Sequence, residues 1–544
     1  MGVPNGWSPW VMRRPAAIIA TLALASAVAA GCGGDDSSGG GGDGGSPATT
    51  GESGGTFVLS NLADPDPIDP ALTSHTMSRT LERNVYESLV YYKLGTTEIE
   101  PVLATEWTVS DDGLVYDFTL REGVKFQDGT PFDSADVKAT LDRDMRLKTG
   151  VGGSYLSDVE SVEAPSPTTV KITLNRPYAY FLGKLPKVGI ASDEDIENHK
   201  GDDDAQTWFK DNANGTGPWK LDRYERGTQY TLVRNPNYWR DYPPGSFDTI
   251  VVRPVAESAT QSQLIQRGEV NMGSWMSLRD MVEDDKAPGV KLSEEPSPMT
   301  LIGSLHGGRA PLDDVKVREA LLAAFPYDQM RDFYQGHADE VTNVLSPAYD
   351  GAKEFPVLTQ DIEKAKSLLA EAGYPNGDGM PQLRLAGTAG LEDMRQAGLL
   401  FQDALREIGV ELKVDFLPGN TFIPQAQDPK TAADISLGYE APETNDPFEW
   451  FNKLFGKEGF LNLSHFSVPE LDKTIADAQV STDEAARAED VHKAQDLIME
   501  NVMVIPMANF DAVYAVSEFV GGFTHDITDL LAVPKFYGMV REGS

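Results

Sequence analysis

The chain contains a single cysteine, Cys32, so everything after that position must fold without thiols. No disulfide framework and no multi-thiolate zinc or iron–sulfur centre is open to such a body, which has to hold itself together by burying apolar surface. With 544 residues there is ample chain for that, in several domains or in one large multi-lobed unit. Hydrophobic residues make up 40% and aromatic residues 9%, an ordinary globular composition that excludes a wholly disordered chain or a polytopic membrane protein. Lys and Arg number 46 against 84 Asp and Glu, a formal charge of −38. That balance repels phosphate backbones at long range and disfavours nucleic-acid binding.

The cysteine's position is as informative as its solitude. Arg13 and Arg14 precede an uncharged stretch from Pro15 to Ala30, and Gly31-Cys32 follows. Charged, apolar and small-residue regions in that order describe a secretory signal over residues 1–31, too short and Ala-rich for a membrane span. Cys32 stands where a bacterial lipobox places its lipidated residue, although Ala29 fills the position that usually holds Leu. The alternative is a signal peptide with an incidental cysteine. Met12 begins a more conventional signal than Met1. Residues 32–53 are rich in Gly, Ser and Asp, which bury too little surface to offset the entropy of ordering. They are predicted to be a flexible tether. The mature protein is therefore expected outside the cytoplasmic membrane, attached through a lipid on Cys32.

Beyond the tether the pattern is mixed α/β. Tyr116, Phe118 and Leu120 alternate with polar residues, as do Val170, Ile172 and Leu174, which predicts strands. Asp111-Asp112-Gly113 and Asp128-Gly129-Thr130-Pro131 supply turns. Asp133 to Asp136 opens a helix carrying Val137, Leu141 and Met145. Asp361 caps a helix over Ile362 to Ala372, which Gly373-Tyr374-Pro375 stops. A strand (Gln382 to Ala386), a helix with Leu391, Met394, Phe401, Leu405 and Ile408 on one stripe, and a strand (Val410 to Phe416) predict a βαβ crossover.

Catalytic motifs are sparse. Gly51-Glu52-Ser53-Gly54-Gly55 matches G-x-S-x-G, but it lies in the tether without the strand and helix that make a nucleophile elbow. The sequence has no phosphate loop, no H-E-x-x-H and no EF-hand loop, and its seven histidines show no ligand spacing. Capture of a solute fits these features better than its transformation.

Several blocks then resemble one family along nearly the whole mature chain: the extracytoplasmic solute-binding proteins, family 5, of peptide and nickel ABC importers. Gly54 to Leu59 with Ile68-Asp69-Pro70 resembles the opening strand and its turn. Tyr86-Glu87-Ser88-Leu89-Val90 and Pro101 to Trp107 resemble the next two blocks. The strongest runs from Asp111-Asp112-Gly113 through Leu120-Arg121-Glu122-Gly123-Val124-Lys125-Phe126 to Asp128-Gly129-Thr130-Pro131 and Ala135-Asp136-Val137. Gly215 to Lys220, Arg234 to Trp239, Gly268-Glu269-Val270 and Pro311 to Leu321 continue in the family's order. Ala324-Phe325-Pro326-Tyr327 and Asn271 depart from it.

The resemblance implies an α/β, bilobal periplasmic-binding-protein-like fold (type II) with two hinge-connected lobes and an extra inserted domain. A first lobe is expected over 54–92, 201–297 and 509–544, the insert over 93–200 and the second lobe over 298–508. Crossings are expected near Met299-Thr300-Leu301 and Pro506-Met507-Ala508. The implied function is that of a monomeric binding protein, not an enzyme and without cofactor or metal. It captures di- or oligopeptides by lobe closure and delivers them to a membrane permease. A nickel or metallophore receptor of the same family is the alternative, and a secreted peptidase or amidase is the alternative from another class. Carried over by position, Glu443 would receive the ligand's ammonium and Arg395 its carboxylate. Trp275, Tyr439 and Trp450 would be apolar walls.

Overall fold

The computed structural model describes residues 54–543 apart from 66, 74, 75, 350, 445, 482, 527 and 529–532. The expected signal, the tether and Cys32 lie outside the described residues. No helix among the described residues is long and apolar enough to cross a membrane.

Three sheets organise the chain, each over its own core, with two two-stranded ribbons beside them. The first has seven strands in the spatial order Val290–Glu295, Ala512–Ser517, Met272–Gly273, Thr56–Asn61, Thr249–Pro254, Gln229–Arg234, Trp219–Glu225. Thr56–Asn61 runs parallel to both of its neighbours, so the C-terminal ends of three strands open on one edge. Beneath it Phe57, Leu59, Trp219, Phe247, Ile250, Tyr514 and Phe536 form the core of the first lobe.

The second sheet is antiparallel, in the order Ala104–Val109, Val115–Leu120, Thr169–Leu174, Val159–Ser166. Its alternation follows the sequence: Tyr116, Phe118 and Leu120 are buried while Asp117 and Thr119 are exposed. Tyr116 pairs with Ile172 and Phe118 with Val170, so one face of each strand meets the helix Ser134–Leu147 over a shared core. That helix starts where its cap demands. Asp133 accepts from the Ala135 backbone N–H at 2.7 Å, and the Asp136 carboxylate accepts from the Asp133 N–H at 2.8 Å. From the same helix Arg143 reaches Asp69 of the first lobe in a two-pronged pair at 2.8 and 2.5 Å, with both side chains 1% accessible.

The third sheet has six strands in the order Ala338–Asp339, Val504–Phe510, Thr300–Leu305, Ile435–Glu440, Leu383–Thr388, Leu412–Leu417. The predicted βαβ unit is present: Leu383–Thr388 and Leu412–Leu417 are parallel neighbours joined through the helix Glu392–Glu407. Met394, Phe401, Leu405 and Ile408 face the second-lobe core.

The chain passes from the first sheet to the third between Glu295 and Thr300 and returns at Asp511. The second crossing corrects the sequence expectation, because Pro506-Met507-Ala508 lies inside the strand Val504–Phe510. All seven residues of that strand are buried, so its apolar run carries no mark of where it leaves the lobe.

The sequence blocks also meet in space. Glu87 accepts from Thr216 Oγ1 at 3.0 Å, Tyr238 OH at 3.1 Å and Trp239 Nε1 at 3.0 Å. Gly217 donates to Val85 O at 2.9 Å, and a Cβ on Gly215 would stand 2.2 Å from that same oxygen. Glycine is required there by close approach. These blocks lock together two stretches of the first lobe that the insert separates in sequence.

Candidate functional site

Asp446 organises the second lobe's contribution. Its carboxylate caps the helix Pro447–Phe455 by accepting from the Phe448 N–H at 3.0 Å, and Pro447 sits at the first helical position, where its missing donor is harmless. The cap fixes the phase of the helix, so that Trp450 and Lys453 turn toward the end of the strand Ile435–Glu440. Lys453 Nζ lies 3.3 Å from Glu443 Oε1 and 3.5 Å from Glu440 Oε2. The indole of Trp450 is 2% accessible and packs against Phe451 and Phe455.

The inserted domain closes over this group. Tyr155 OH donates to the second oxygen of Glu443 at 3.1 Å. Tyr178 OH donates to Asp446 Oδ2 at 2.7 Å, and Arg487 pairs with Asp446 Oδ1 at 2.9 Å. The Arg487 guanidinium stands 4.0 Å from the centre of the Tyr180 ring. Tyr178, Asp446 and Arg487 are almost wholly inaccessible. Glu443 differs, with 36% of its side chain accessible where the insert and the second lobe meet.

Charge in this space is arranged by proximity. Burial pushes the Glu443 carboxyl up, but Lys453, Lys187 and Arg79 outweigh it and hold it at about 2. Burial lowers Lys453, and Glu440 and Glu443 more than restore it, leaving it above the ordinary lysine range. Burial, with the charges of Arg79 and Arg83 beside it, takes Lys187 well below that range. Near by, Arg83 forms a buried ion pair with Asp526, whose carboxyl is driven up by burial and far down by Arg83 and Lys535.

The remaining candidates lie elsewhere. Side chains alternate along a strand, so Tyr439 points away from Glu440. Its hydroxyl bonds Asp393, which also accepts from Tyr334 OH at 2.9 Å. Arg395, two residues beyond Asp393, is 48% accessible and paired with Glu392 at 2.5 Å, close enough to the first lobe for Arg279 to act on Glu392. The structure therefore brings Glu443 and Trp450 together, sets Tyr439 and Arg395 around Asp393, and leaves Trp275 in the first lobe. Trp275 has φ 60°, rare for so large a residue, and its buried indole N–H has no protein partner among the described residues. Asn61 is in the same condition. Its Oδ1 accepts from the Leu62 N–H and Ser274 Oγ, and its buried Nδ2 is unpartnered. A dry, unsatisfied donor costs about 1–3 kcal/mol, which a ligand oxygen removes. Both stand at the open edge of the parallel strands, where ligands of α/β folds bind.

Sequence reasoning missed Lys453, Glu440, Tyr155 and Tyr178. Lys453 lies seven residues past the Asp446 cap, on the turn after Trp450, and that spacing could have found it. Tyr155 is 288 residues from Glu443 and left no such signal. A separate groove of about 830 Å3 crosses the outer face of the inserted sheet, lined by Trp107, Asp117 and Lys171 among others. It is open, and the buried charges converge on Glu443 instead.

Two sheet-centred lobes joined by short crossings, with charged and aromatic groups gathered between them, define a two-lobed binding protein. Residues 98–462 match the model of the bacterial extracellular solute-binding proteins, family 5 Middle, and the chain belongs to that family. It is 27% identical over 477 residues to the probable D,D-dipeptide-binding periplasmic protein DdpA of Escherichia coli K12, covering 86% of this chain and 90% of that one. Over the same length and shares it is 28% identical to the glutathione-binding protein GsiB of Escherichia coli O1:K1 / APEC. Among solved structures, the periplasmic binding protein DppA of Helicobacter pylori in complex with the peptide STSA superposes with a TM-score of 0.77 at 26% identity, covering 90% of this chain and 98% of that one.

Proposed function

We propose that the protein is the receptor of an ABC importer, capturing short peptides outside the cell and passing them unchanged to a membrane permease. The observation that carries this reading is the cluster where three regions meet: Tyr155 of the insert donates to Glu443 of the second lobe, Lys453 pairs with Glu443, and Arg79 of the first lobe lends it positive charge. The names of its relatives, a D,D-dipeptide-binding and a glutathione-binding protein, and the peptide bound to the Helicobacter protein support a peptide cargo. Contacts made on both lobes favour the closed state, and only that differential affinity shifts the population. Tyr439 walls the cleft from the second lobe and Trp275 from the first, while Trp450, packed against Phe451 and Phe455, serves the core of the second lobe. Arg395, on leaving Glu392, presents a guanidinium fork to the ligand carboxylate. A lipid on Cys32 keeps the receptor at the outer face of the cytoplasmic membrane, where tethering raises its effective concentration at the permease. Mass spectrometry of protein purified from its host without denaturation tests the reading. Short peptides should co-purify; a sugar in the cleft, or cleavage of added peptides by the pure protein, would overturn it.

A further inference from the structure

Lys453 narrows the cargo, an inference that rests on the peptide reading above. A carboxylate pair in a cleft is the natural seat for an ammonium group. In this protein the chain supplies that group itself: Lys453 Nζ stands 3.3 Å from Glu443 and 3.5 Å from Glu440. The other oxygen of Glu443 accepts from Tyr155 OH at 3.1 Å, so both of its oxygens already have donors. Arg79 adds positive potential at the same carboxylate from the first lobe. A ligand ammonium entering here would have to displace Lys453 or share the seat with it, and like charges brought together inside a cleft repel strongly. Lys453 still has something to offer. An ammonium carries three N–H groups, its partners among the described residues are these two carboxylates, and 17% of its side chain is accessible.

We propose that Lys453 is a built-in ammonium, and that the cleft selects peptides whose amino end is acylated, the acyl carbonyl oxygen accepting the remaining Lys453 N–H. Selection works in both directions, since the acyl oxygen gains a charged donor while a free amine meets an occupied seat.

Two pools of randomised tetrapeptides, identical except that one is N-acetylated, are dialysed to equilibrium against the full-length protein at pH 7, and retained peptide is quantified by mass spectrometry. The acetylated pool should be retained at least about 10-fold better. Lys453→Gln, its fold checked by thermal melting, should reverse the preference by freeing Glu440 and Glu443 for a ligand amine. Equal retention, or retention of the free-amine pool alone by the unaltered protein, overturns the proposal while peptide capture stands. Retention of neither pool overturns both.

Discussion

Glu443 and His525 show how single buried groups set the protein's response to acid. Glu443 is held at about 2 against an ordinary 4.5, so the folded state binds its proton later than the unfolded chain does. The stability it contributes is present above about pH 4.5 and is lost as pH falls from there toward 2. His525, buried against Tyr514 at 2.9 Å, is held at about 4 against 6.5, chiefly by burial. Between those values the unfolded chain binds the proton and the folded one does not, so stability falls as pH drops from 6.5 to 4. Calorimetric melting at pH 7, 5 and 4 should show a decline that begins well above the carboxylate range. In His525→Gln the part of the decline between pH 6.5 and 4 should shrink, with His306 and His465, also lowered by burial, supplying what remains; an unchanged pH profile would contradict this assignment.

At the scale of elements, the helix Pro447–Phe455 and the segment carrying Tyr178 and Tyr180 make a joint between the second lobe and the insert. Tyr178→Phe removes one hydrogen bond to a charged acceptor, a contribution of about 1.5–3 kcal/mol. Asp446 keeps Arg487 and its capping bond, so the second lobe itself stays intact. Peptide affinity should fall about 10-fold through faster release, measured by stopped-flow or surface plasmon resonance, with little change in melting temperature. Arg143 works differently. Arg143→Ala strands the buried Asp69 and should lower unfolding free energy by about 3–5 kcal/mol in urea titration. Arg146→Ala breaks a half-exposed pair with Asp204 and should change it by less than about 1 kcal/mol. Much of this scale was legible in the sequence, because caps and alternation are local: Asp133, Asp361 and the strand Val115–Leu120 sit where their neighbours demand. The site was legible only on one side. Glu443 and Trp450 belong to one continuous segment, whereas Tyr155 and Tyr178 reach it from an insert whose placement no local pattern encodes. The motif blocks that identify the family mark the Glu87 lock within the first lobe, so they disclose the fold and leave the cargo unstated.

For the whole molecule, the proposed receptor works by motion about two short crossings, Glu295 to Thr300 and Asp511. Short extended links absorb the rotation that brings lobes together. With the proposed lipid on Cys32, Cys32→Ala should move the protein from the membrane fraction to the soluble one; retention in the membrane would contradict lipid attachment. Lobe closure is tested most directly by small-angle X-ray scattering of the ligand-free protein with and without saturating peptide. Closure predicts a smaller radius of gyration with peptide bound. Identical scattering in the two states, under conditions where calorimetry shows the peptide binding, would contradict a receptor that works by shutting its lobes on its cargo.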